Sequence, residues 1–186
     1  MTMRTIESDV SPSAVTQAAV NIKPMESIAF NRGRQSLDRS VWYSGGTLMT
    51  FLATGEDTEG RFALIEAVGR KGNGPPPHIH RREDETFYVL EGEVSVWVGD
   101  RTMKAGPGTM VFLPRNVQHT FAIESEQARM LVLLTPAGFE GWFKEFSVPA
   151  PAMTLPPATE PAYADVQRML EVAPRYGLEF FVPERQ

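Results

Sequence analysis

All three histidines of this chain sit in two short segments, and those segments constrain the fold more than any other feature of the sequence. The first, Gly72 to Gly92, reads GNGPPPHIHRREDETFYVLEG; the second, Gly108 to Ile123, reads GTMVFLPRNVQHTFAI. One residue separates His78 from His80. An extended backbone therefore projects both to one face, where they can close on a single metal ion, whereas a helix would splay them apart. Glu85 lies five residues beyond His80, after the charged run Arg81 to Asp84 that can turn the chain, and it opens a strand-like stretch to Leu90. His119 stands in the second segment, again flanked by strand and turn signals. Imidazole nitrogens together with a carboxylate oxygen suit iron, manganese, cobalt, nickel, copper or zinc.

The rest of the chain supplies a framework of short strands. Runs rich in aromatic and branched residues, each bounded by glycine or charge, fall at Val41 to Tyr43, Thr47 to Ala53, Phe62 to Val68, Thr86 to Leu90, Val94 to Val98, Thr102 to Ala105, Thr109 to Leu113, His119 to Ile123 and Met130 to Leu134. Many short strands at this spacing predict an all-β sandwich or barrel. Gly99-Asp100 between Val98 and Arg101 is a two-residue hairpin signal. No internal repeat is visible, which favours a single barrel over a duplicated one.

After Thr135-Pro136 the apolar period becomes helical. Phe139, Trp142, Phe143 and Phe146 fall on one stripe, expected to be core that closes one side of the barrel. Val148 to Pro161 holds five prolines and reads as a linker. A second helix is expected from Ala162 to Ala173, with Phe180, Phe181 and Val182 docking as a tail. Before the strands, a polar arm carries one short helix signal, with Ser11 as cap and Pro12 in the first turn. The expected organisation is an N-terminal arm over residues 1–40, a barrel over 41–136 and a helical extension packed on it over 137–186.

Composition removes several classes of function. The net charge is −5 with a pI near 5.3, and no basic cluster exceeds the Arg81-Arg82 pair, so a nucleic-acid footprint and an anionic membrane surface are both disfavoured. Without cysteine there is no disulfide, thiolate zinc site or cysteine nucleophile. No apolar signal core opens the chain and no run is long enough to span a bilayer, so a soluble, cytoplasmic protein is expected. Nucleophile-elbow, Walker and dinucleotide-turn motifs are all missing.

With the glycines included, the two segments read G-x5-H-x-H-x4-E-x6-G and G-x5-P-x-N-x2-H-x3-I, which resembles the two motifs of the cupin superfamily. The first motif matches at every defined position. In the second, Asn116 stands where glycine is usual and Ile123 where asparagine is usual. Asparagine enters the left-handed region readily, and neither departure touches a ligand position. The single-barrel plan, the Trp42-Tyr43 pair, the HIHRREDE segment and the RYGLEF ending (Arg175 to Phe180) look like small cupins grouped with quercetin dioxygenases.

That resemblance implies a double-stranded β-barrel of the jelly-roll type with two C-terminal helices. It implies one divalent transition metal per chain on His78, His80, Glu85 and His119, with Glu85 also able to take a substrate proton. Glu83 is expected to be dispensable to the ion. By strand parity Phe87 and Val89 should line the same cavity as Glu85; Trp97, Met110, Phe112 and Phe121 are further wall candidates. The implied activity is dioxygenase cleavage of a flavonol-like or other enolic aromatic, with dioxygen as co-substrate and a homodimer as the assembly. A non-catalytic small-molecule-binding cupin and a metal-dependent isomerase are the alternatives.

Overall fold

Alternating apolar and polar residues become strands whose inner faces meet across a shared core. The computed structural model describes residues 29–158 and 163–181. In chain order its strands are β1 (Ser40–Tyr43), β2 (Thr47–Ala53), β3 (Ala63–Arg70), β4 (His78–His80), β5 (Asp84–Glu91), β6 (Val94–Val98), β7 (Arg101–Ala105), β8 (Met110–Leu113), β9 (His119–Ile123), β10 (Gln127–Thr135), β11 (Ser147–Pro149) and β12 (Leu178–Phe180). Helices α1 (Gly55–Thr58), α2 (Glu140–Glu145) and α3 (Tyr163–Val172) connect them. The helix signal at Ser11-Pro12 lies outside the described residues, as do most of the expected arm and Val182.

The strands form a seven-stranded sheet in the order β11-β1-β2-β3-β10-β5-β8 and a five-stranded sheet in the order β12-β4-β9-β6-β7, all pairs antiparallel. This is the jelly-roll sandwich expected from the sequence. β10 shows how the pattern works: Ala128, Met130, Val132 and Leu134 are buried, while the residues between them are not. Each buried Val, Leu, Met or Phe side chain contributes about 1.5–3 kcal/mol, which ties the two sheets face to face. The hairpin at Gly99-Asp100 forms as read, with Val98 paired to Arg101 and Gly99 at φ 56°.

The two C-terminal helices form where they are expected, as α2 and α3, and the chain around them adds strands that the sequence does not announce. Ser147–Pro149, which overlaps the start of the proline-rich stretch read as a linker, pairs with β1, and Leu178–Phe180 pairs with β4. One segment thus adds an edge strand to each sheet. Three-residue strands carry too little periodicity to be seen in sequence, because their pairing is decided by the neighbour already in place. At the other end, Asp57 in α1 takes both Arg32, through Nη1 at 2.7 Å and Nη2 at 2.8 Å, and Arg39 at 2.7 Å, fastening the incoming chain to the barrel.

Candidate metal centre

The four expected ligands converge although they come from different strands and both sheets. His78 and His80 lie on β4, His119 faces His78 across the β4–β9 pair, and Glu85 is on β5 of the opposite sheet. One ligand atom from each lies within 4.8 Å of all the others, and all four residues are buried. Glu85 Oε2 is 3.3 Å from His119 Nε2 and 3.8 Å from His80 Nε2.

Local backbone orients the rings. His78 Nδ1 contacts the Pro76 carbonyl at 2.9 Å and His119 Nδ1 the Val117 carbonyl at 3.0 Å; donation there fixes the tautomer that leaves Nε2 as a lone pair. Prolines 75 to 77 have no N–H to offer, yet each carbonyl is used: Pro75 accepts from Thr120 Oγ1 at 2.6 Å, Pro76 from His78, and Pro77 from Phe181 N at 2.8 Å. The segment that leads into β4 is therefore held on both sides. Asn116 adopts φ 64°, and its N–H donates to the His80 carbonyl at 2.8 Å, so the substitution for glycine keeps the turn.

Burial is the largest single influence on each of the four groups, but it decides the direction only for the histidines of β4. It pushes His78 down to about 3, helped by the neighbouring His119 and His80, and it lowers His80 against the pull of Glu85. Burial alone would raise Glu85, but the three imidazoles outweigh it and its carboxyl sits below the ordinary range. His119 is raised, burial being overcome by the facing Glu85. Among the described residues His119 Nε2 has no hydrogen-bond partner, and a buried nitrogen left so, 3.3 Å from the Glu85 carboxylate, is a donor atom that a metal ion would satisfy. Three imidazole nitrogens and a carboxylate fit a first-row divalent ion, so the cluster is able to hold a metal.

A cavity of about 220 Å³ opens over the cluster, with His78, His80 and Glu85 in its wall. Phe87 and Phe121 are among its lining residues, in edge-to-face contact with ring centroids 5.2 Å apart. Val89 shares that face of β5 but is fully buried in the core, one pleat further from the ligands. Trp97, Met110 and Phe112 are corrections: they are 39%, 62% and 52% exposed and line no part of the cavity. Parity is the reason, since Val96, Val111 and Leu113 occupy the buried positions of the same strands. The aromatic stripe, read as core alone, also walls the cavity through Phe139, Trp142 and Phe143, with the Phe139 ring 4.2 Å edge-on from that of His80. Sequence reasoning missed Tyr43, whose hydroxyl accepts from Trp142 Nε1 at 2.9 Å and which burial pushes up to about 12. It also missed Glu83, 3% exposed and pushed by burial up to about 7.

Comparison with known proteins agrees with this geometry. A family model described as Cupin domain matches residues 66–134. The chain is 28% identical over 140 residues to quercetin 2,3-dioxygenase of Bacillus subtilis, covering 75% of this chain and 41% of that protein. It is 33% identical over 103 residues to quercetin 2,3-dioxygenase of Aspergillus japonicus, covering 52% and 29%. It thus spans less than half the length of either dioxygenase. An uncharacterized protein of Streptomyces coelicolor is 30% identical over 91 residues, covering 49% of this chain and 81% of that protein. Among solved structures, an RmlC-like cupin from Shewanella frigidimarina superposes with a TM-score of 0.52 at 22% identity, covering 61% of this chain and 96% of that one, a likeness of fold.

Proposed function

We propose, from the premise that this chain belongs to the cupin superfamily, that it is a metal-dependent dioxygenase acting on an enolic aromatic substrate. The observation that carries this reading is the buried His78, His80, Glu85 and His119 cluster set in the wall of an aromatic cavity. When bound there, a first-row divalent ion supplies Lewis acidity toward a hydroxyl oxygen and redox contact with dioxygen.

The chain's own groups do the remainder. Glu85, held as a carboxylate by the imidazoles around it, accepts the proton of the enolic hydroxyl. Phe87, Phe121, Phe139 and Phe143 pack the ring and keep water from the activated carbon. The Tyr43 hydroxyl already accepts from Trp142, stays protonated, and has its own hydrogen to offer a second substrate oxygen. Among the described residues no Arg or Lys lines the cavity, which supports an aromatic over a sugar acid or phosphate. Its volume of about 220 Å³ lies below the roughly 300–1,000 Å³ of drug-sized pockets, so a compact enolic ring fits better than a fully enclosed flavonol.

The same reading makes the protein a cytoplasmic homodimer. Exposed Tyr88, Met110 and Phe112 on adjacent strands of the seven-stranded sheet support a dimer. A sedimentation mass of one chain at micromolar concentration would remove the dimer.

Oxygen uptake tests the activity. Protein reconstituted separately with iron, manganese, cobalt and nickel is offered flavonols and smaller enolic diketones, and uptake above a metal-free control with at least one pair is expected. Tight binding of an unchanged ligand with no uptake for any pair would make it a binding cupin instead.

A further inference from the structure

Two of the three imidazoles are oriented by backbone carbonyls two residues upstream, through His78 Nδ1 to Pro76 and His119 Nδ1 to Val117. His80 has no such support. Among the described residues its Nδ1 is buried without a hydrogen-bond partner, and so is Glu83 Oε2. These two atoms lie 4.0 Å apart, with side chains 1% and 4% exposed. A donor and an acceptor facing one another in the interior, neither with any other partner, are a costly pair unless they meet. The gap to a hydrogen bond of about 2.9 Å is small for a carboxylate on a two-carbon stem.

We propose that Glu83 is the positioning residue for His80: its side-chain oxygen accepts from His80 Nδ1–H and so holds the ring with Nε2 turned toward Glu85 and His119. From the sequence, Glu83 is one residue of the charged run Arg81 to Asp84 and is expected to be dispensable to the ion. Burial changes its meaning. Glu85 points to the cluster from β5, while Glu83, just before that strand, reaches the far side of the same imidazole. One short segment thereby supplies an atom to each nitrogen of His80. This arrangement differs in kind from the backbone supports of His78 and His119, because a single substitution removes it without altering the main chain.

The inference rests on the metal reading only for its zinc arm, and the test separates the two. Glu83→Leu removes the acceptor while filling the space; Glu83→Gln keeps an amide oxygen that can still accept from Nδ1–H. In protein with 15N-labelled histidine, freed of metal, long-range proton–nitrogen spectra read which nitrogen of His80 carries the proton. Wild type and Glu83→Gln should show Nδ1–H, and Glu83→Leu should move His80 toward Nε2–H with His78 and His119 unchanged. Zinc titration should then give an affinity about 10–100-fold weaker for Glu83→Leu, largely restored in Glu83→Gln. A His80 tautomer identical in all three proteins overturns the inference, whatever zinc does. If wild type binds no zinc, the metal reading fails, and the tautomer comparison in metal-free protein still answers the question about Glu83.

Discussion

Replacing Gly74 by alanine should be far more damaging than its position in a loop suggests. An ideal Cβ at Gly74 would sit 1.8 Å from the Phe121 carbonyl oxygen and 2.9 Å from its carbon, a clash with backbone that no rotamer can relieve. The loop must back away from β9 by roughly an ångström, which is enough to break a hydrogen bond. The bonds at stake are Gly72 N to Ile123 O at 2.9 Å, Ile123 N to Asn73 O at 3.0 Å and Thr120 Oγ1 to Pro75 O at 2.6 Å. At about 0.5–1.5 kcal/mol each, more if a group is left buried and unpaired, their loss totals about 1.5–4.5 kcal/mol. Against this stands a gain of about 0.4–1 kcal/mol from restricting the unfolded chain, since Gly74 does not need a positive φ. The clash wins, and the sign of the effect is itself the test. Gly106→Ala is the matched control, having no atom within 4 Å of its Cβ and no positive φ, and it should be neutral or slightly stabilising. Urea unfolding read by fluorescence, at unchanged m, should show the difference as a shifted midpoint. Because the Pro76 carbonyl that orients His78 rides on the same loop, zinc affinity should also fall by about tenfold or more. Gly74→Ala as stable as wild type would refute the argument that the loop and β9 are locked together.

Other consequences are equally direct. Zinc at about 100 times its dissociation constant should stabilise wild type by about 2.7 kcal/mol in thermal unfolding, and His119→Ala should lose that gain; an equal gain in both would place the ion elsewhere. Phe87→Ala should cost about 3–5 kcal/mol by leaving a void in the core beside the cavity, and a cost under about 1 kcal/mol would mean that the site collapses around it. The double change Met110→Ser with Phe112→Ser should leave zinc affinity unchanged, since both side chains face away from the cluster; a loss would return them to the site. Asp57→Asn should cost about 1–2 kcal/mol at neutral pH by weakening the Arg32 and Arg39 contacts. Arg32 holds the Asp57 carboxyl well below its usual 3.8, so this stabilisation is complete above that value and fades as pH falls beneath it, and the gap between variant and wild type should narrow there. A gap that stays constant down to acid unfolding would show that the ion pairs contribute nothing.

Much of this protein was written in short-range pattern. His-x-His on an extended backbone puts two imidazoles on one face whatever surrounds them, and Glu85 and His119 follow at spacings that resemble one family's motifs. Runs such as Thr47–Ala53, Val94–Val98 and His119–Ile123 appear as strands with the bounds expected of them, because alternation and turn residues act within a few positions. The left-handed conformation of Asn116 belongs to the same local chemistry. What only tertiary structure decided was which face is inside and what lies opposite. Trp97, Met110 and Phe112 are as apolar as Phe87, and nothing within their own strands says that Val96, Val111 and Leu113 hold the interior positions instead. The three-residue strands β11 and β12 exist only because β1 and β4 present free edges to them. Glu83 is one more acid in a charged run until the fold places it against His80, at which point an Oε2 with no hydrogen-bond partner among the described residues gives it a meaning that sequence position could not. Burial and partnership are properties of the assembled sheets, and a pattern that repeats every second residue carries no information about either.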